Sequence, residues 1–131
     1  MVQKRIEETV YNGTWLEISY LVPPQLIDNV GWHRKTAKWL SSLSPDIPVH
    51  ILYFYPFHKM KESYDWRKLL KVYEIMSEHL NYVYIPNLYE EEAKKYQNTK
   101  CRICGKILIE RPDINEIRNE CCQVKVPGIW K

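Results

Sequence analysis

An alternation of apolar runs and helical stripes governs what this chain can become. Trp15, Leu16, Ile18, Tyr20, Leu21 and Val22 form a nearly continuous β-favouring run that Pro23-Pro24 ends, and Val49 to Phe54 form a second. Between them Trp32, Thr36, Trp39, Leu40 and Leu43 recur at helical spacing, with His33, Arg34, Lys35 and Lys38 on the wetter side and Asp28 as the cap. Leu69, Val72, Tyr73, Met76 and Leu80 make another helical stripe over Asp65 to Leu80, and Val83 to Ile85 reads as a third short strand. Strand–helix–strand–helix–strand implies consecutive right-handed parallel units, with each strand covered on both faces.

In front of these units Gln3 to Val10 reads as a helix closed by Asn12-Gly13, residues that accept the left-handed conformation. Behind them the charged stretch around Glu90-Glu91-Glu92 and Lys94-Lys95 reads as a solvated linker, residues 90–97. It divides an α/β part, 1–89, from a tail, 98–131. A complete eight-unit barrel needs about twice the 131 residues present, so three strands can supply only part of one. No apolar run of membrane-spanning length and no export signal is visible, which implies a cytoplasmic chain with no membrane partner.

The formal charge of +3 is too small to announce nucleic-acid binding, yet it is unevenly placed. From Asn98 onward there are 7 Lys/Arg against 4 Asp/Glu; before it the two balance at 12 each. All four cysteines, Cys101, Cys104, Cys121 and Cys122, also lie in that tail, the placement of a metal site or a local staple. Cys101-x-x-Cys104-Gly105 has the spacing of a zinc knuckle, with a glycine that permits the turn. Cys121 and Cys122 are adjacent, and neighbouring side chains diverge, so joining both to one metal requires local distortion. The alternatives to zinc are a pair of disulfides or four reduced thiols.

Among the histidines, His33 and His79 stand amid charges in helical stretches and read as solvated. His50 begins a strand and is the candidate site residue; the other reading is a hydrogen-bonded structural histidine. No P-loop, dinucleotide fingerprint or Ser-His-Asp order is present.

Leu16 to Pro23 with its following helix, Asp46-Ile47-Pro48-Val49-His50, Phe54, Pro56 and Lys59-Met60 together resemble the later strands of the AmmeMemoRadiSam-system radical-SAM family. Tyr82-Val83-Tyr84 with Asn87, Asn98-Thr99 with Cys101-x-x-Cys104-Gly105, Leu108-Ile109 and Pro127-Gly128-Ile129-Trp130 continue the likeness in the same order over about residues 5–131. The resemblance implies a partial parallel β/α barrel of about three strands followed by a small zinc-ribbon-like module. It implies zinc on Cys101, Cys104 and Cys122, and a cofactor-facing role for His50; the family's remaining ligand position falls at Asn119, and Cys121, beside Cys122 instead, is the candidate for the fourth ligand.

The front half of that family, with its CxxxCxxC motif, is missing, and no thiol precedes Cys101. A SAM-cleaving four-iron cluster needs three thiolates, so neither that cluster nor SAM turnover is expected in this chain alone. Pro24 stands where the family has glycine, and Tyr53 and Tyr55 stand where it often carries small or basic residues. The expectation is therefore a non-catalytic accessory or adaptor subunit that docks on a larger protein or RNA–protein assembly, or self-associates. The alternative is the C-terminal half of a split radical-SAM enzyme whose cluster-binding half is a separate chain.

Overall fold

The computed structural model describes residues 1–128 and contains a mixed α/β fold. Helix α1 (Val2–Tyr11) leads into β1 (Ile18–Val22), α2 (Val30–Leu43), β2 (Val49–Tyr53), α3 (Leu69–Ser77) and β3 (Val83–Tyr84). Four short strands follow: β4 (Thr99–Lys100), β5 (Ile107–Ile109), β6 (Glu120–Cys121) and β7 (Val124–Lys125). The first three strands form one parallel sheet in the order β1-β2-β3, as the alternation of strand and helix requires. Among the described residues, no helix is long and apolar enough to cross a membrane.

Local chemistry explains where elements begin and end. Helix α1 stops at Gly13, whose φ of 69° is left-handed; its N–H reaches the Val10 carbonyl at 3.0 Å and that of Thr14 reaches Thr9 at 3.2 Å. The cap of α2 is Asn29, not Asp28: its carboxamide accepts from the Trp32 N–H at 3.0 Å. Asp65 caps a 3₁₀ turn at Trp66–Lys68, from which α3 continues. The Tyr53 strand end is bracketed by Asn87, which accepts from its N–H and donates to its carbonyl, both at 2.9 Å.

Burial alternates along the strands. Val22, Val49, Ile51 and Ile85 are fully buried against Ala37 and Leu40 of α2 and Leu69, Val72 and Met76 of α3. On β1, Ser19 and Leu21 are exposed, so the strands are not covered on both faces. Two helices shield one face. The register aligns Ser19 with His50 and His50 with Tyr84, which makes a row across the other face.

His33, read from its charged neighbours as solvated, is buried. Its ring lies between the Tyr20 hydroxyl, 2.9 Å from Nδ1, and the Leu26 carbonyl, 2.8 Å from Nε2. The charged stretch after Glu90 is likewise packed rather than free. It forms a 3₁₀ helix over Glu91–Gln97 that buries Ala93 completely, and the Tyr96 carbonyl accepts from the Ile85 N–H at 3.0 Å. The tail is thereby tied to the sheet: Tyr82, just before β3, is buried with Cys101, Leu108, Ile109 and Val126. Of the tyrosines on and beside these strands, Tyr55 is exposed, Tyr53 and Tyr84 are half-buried, and Tyr82 is covered.

Candidate metal centre

Two hairpins present the cysteines. The first is β4–β5, an antiparallel pair whose connection carries Cys101, Cys104 and Gly105. Gly105 has φ 73°, and the turn is closed by the Cys101 N–H donating to the Lys106 carbonyl at 2.8 Å and the Gly105 N–H to the Cys101 carbonyl at 2.9 Å. That turn aims the amides of Ile103 and Cys104 at the Cys101 sulfur, and those amides hold the Cys101 thiol down to about 7.

The second hairpin is β6–β7, where Cys121 pairs with Val124. The two intervening residues, Cys122 and Gln123, both have positive φ, 52° and 61°, which is the two-residue turn whose twist suits a hairpin. Such a backbone is unusual for residues other than glycine or asparagine. It is the distortion that adjacent cysteines require: it turns the Cys122 side chain back so that its Sγ lies 3.8 Å from that of Cys121.

All four sulfurs lie within 4.8 Å of one another, with Cys104 and Cys121 at 3.7 Å. In a tetrahedral zinc–thiolate site, a metal–sulfur bond of about 2.3 Å implies sulfur–sulfur edges of about 3.8 Å. The Cys104–Cys121 and Cys121–Cys122 separations match that edge. All four are free thiols and none is disulfide-bonded. Cys101 is buried, Cys121 half-buried, and Cys104 and Cys122 exposed. The thiols of Cys121 and Cys122 are pushed up, the latter to about 12, because each donates to a neighbouring sulfur and would join other thiolates on losing its proton. A dication at the centre reverses that cost. The cluster can therefore hold a metal ion, and Cys121 stands in it as fully as the other three.

His50 lies apart from the cysteines, on the uncovered sheet face. Its Nε2 is 2.7 Å from Glu17 Oε2, and its ring stacks on Tyr84 at 5.2 Å. It lines a cleft of about 470 Å³ with Trp15, Glu17, Tyr84, Thr99 and Arg111 among the walls. Sequence reasoning missed Glu17 and Arg111. The signal for Glu17 is its position two residues before Ser19, which period-two alternation puts on the His50 face once the β1–β2 register is known. Nothing local marks Arg111. Ile129 and Trp130, part of the family-like terminal segment, lie outside the described residues.

No family model matches the chain, and no solved structure matches it. Over 107 aligned residues it is 30% identical to MJ0808 of Methanocaldococcus jannaschii, a protein described as uncharacterized. The match takes in 76% of this chain and 30% of that protein. The chain thus spans less than a third of the length of the relative it matches.

Proposed function

We propose that the chain is a zinc–thiolate domain with no catalysis of its own, an accessory part that docks on a larger protein. The observation that carries this reading is the convergence of four cysteine sulfurs within 4.8 Å of one another. Thiolates favour zinc over harder divalent ions, and a closed set of four protein ligands leaves no position for substrate. Two hairpins each presenting two sulfurs is the arrangement of a zinc ribbon, and the parallel sheet beside it is compatible with descent from a β/α barrel.

Docking is supported by the relative. There the matched stretch is 30% of the protein, so the corresponding unit is joined to a much longer chain. Exposed Leu21, Tyr55, Phe57 and Tyr89 supply the kind of side chains that anchor interfaces. A second reading, the C-terminal half of a split radical-SAM enzyme, is favoured by the resemblance of residues 5–131 to that family. The two differ in whether the partner carries iron.

Metal analysis of the purified chain tests the proposal: about one zinc per chain is expected, and four freely titratable thiols with no metal would sink it. A low-salt pull-down with mass spectrometry and RNA detection then identifies what is bound. An iron-bearing partner, with 5′-deoxyadenosine formed only by the pair, selects the second reading.

A further inference from the structure

The cleft beside His50 contains a cation, Arg111, that makes no direct ion pair among the described residues. Arg111 Nη1 donates to Thr99 Oγ1 at 2.7 Å and to the Gln97 carbonyl at 3.3 Å, and the guanidinium carbon lies 5.9 Å from the centre of the Tyr84 ring. Each of those partners is neutral. Among the described residues no carboxylate lies within ion-pair distance of Arg111, and its Nε and Nη2 make no hydrogen bond. Those two nitrogens form the edge on which a guanidinium takes a carboxylate with two parallel bonds. Anchoring through Nη1 fixes the plane, and among the described residues nothing bonds to that edge.

The rest of the cleft says what kind of anion fits. Glu17 also lines it and is already engaged on both oxygens, by the Trp15 indole N–H at 3.1 Å and by His50 at 2.7 Å. One carboxylate is thus present already, and it offsets part of the attraction that Arg111 exerts on an added anion. Trp15 is held by that bond and is 42% exposed, and Pro48 and Pro86 also line the cleft. A volume of about 470 Å³ is within the range of sites for small ligands.

We propose that this cleft binds a small aryl carboxylate, its carboxylate on the Nε/Nη2 edge of Arg111 and its ring against Trp15. The site is distinct from the cysteine cluster and does not depend on which metal that cluster holds. Arg111 is its anchoring residue; Glu17 offsets part of its attraction.

The test titrates the full chain, as purified with its metal, with indole-3-acetate, its neutral counterpart indole-3-ethanol and phenyl phosphate. The readout is the NMR shift of the Trp15 indole N–H and the Arg111 Nε–H. Saturable shifts with indole-3-acetate are expected, with binding weaker by about tenfold for indole-3-ethanol, the loss of a charge-assisted pair. Phenyl phosphate binds more weakly than the carboxylate. Arg111→Gln abolishes the response, while Glu17→Gln strengthens carboxylate binding several-fold, a gain that a folding defect cannot produce. Absence of saturable shifts, equal binding of the alcohol, tighter binding of phenyl phosphate, an unaffected Arg111→Gln or a weakened Glu17→Gln would each overturn the assignment.

Discussion

Val22, Ile51, Leu69 and Ile85 are fully buried in a cluster that runs from β1 to Ala93, whereas the tail's cluster consists of Tyr82, Cys101, Leu108, Ile109 and Val126. In that second set one member is a thiol and another belongs to the sheet side. The α/β region orders itself by burying apolar side chains between two helices and a sheet. The tail has strands of two or three residues, too few to hide comparable area, and brings four sulfurs together instead. Small units of that kind commonly obtain their stability from a metal, with binding and folding coupled. With the proposed metal bound, one chain would be held by two unlike sources of order.

The largest effect should come from attacking the metal centre. Cys101→Ser, or removal of metal by a strong chelator, is expected to abolish amide protection across β4 to β7 while the far-ultraviolet signal of α1, α2 and α3 stays close to that of the parent. Hydrogen exchange read residue by residue checks this. Collapse of both regions together would break the comparison, because it would make the sheet dependent on the tail through Tyr82.

Next in size is a cavity on the other side. Ile51→Ala removes a fully buried side chain from the central strand, and a loss of about 3 kcal/mol in urea unfolding is expected for such a truncation. Metal content of the folded variant should remain that of the parent. Loss of metal below the unfolding transition would show the two sources of order to be one.

A smaller effect is expected at the strand end. Asn87→Ala leaves the N–H and carbonyl of Tyr53 without their 2.9 Å partners, at a cost of about 1–3 kcal/mol. Since Tyr55 also donates to the Asn87 carbonyl at 2.7 Å, a bond that the substitution keeps, the loop should not detach altogether. Chevron or equilibrium unfolding that shows no change would place this contact outside the cooperative unit.

The smallest effect is one of pH. Burial lowers the His33 imidazole below its ordinary value of 6.5, so the folded state binds its proton less readily than the unfolded chain. The stability this supplies is complete above 6.5 and is lost as the pH falls from there through the depressed folded value. Urea midpoints followed by helical ellipticity should fall between pH 7.5 and 5.5 by less than the Ile51 truncation causes. His33→Gln, which retains a donor for the Leu26 carbonyl, should flatten that slope; an unchanged slope would assign it to other groups.

Much of the α/β region was legible because its signals are local. Leu69, Val72 and Met76 share a helix face by spacing alone, and Gly13 closes α1 by its tolerance of positive φ. The parallel order followed from alternating element types. What misled was neighbourhood: His33 sits between Trp32 and Arg34, yet helical rotation carries it to the buried side, where Tyr20 and Leu26 satisfy both nitrogens. Glu90 to Lys95 looked like a free charged linker because its charges are many; the one small residue among them, Ala93, is what packs.

The Cys101-x-x-Cys104-Gly105 spacing by itself determined that two thiols share one tight turn, since three residues and a glycine can bring both sulfurs to one side. The alternation of apolar runs and helical stripes determined a parallel sheet with helices, because each stripe must find a surface to bury. Only the tertiary structure decided that Cys121 and Cys122 converge, through two left-handed residues that no sequence rule demands there, and that Glu17 meets His50 while Arg111 meets Thr99. Those contacts join residues from separate strands and turns, and strand register and hairpin docking, which set them, are properties of the whole fold rather than of any window of the chain.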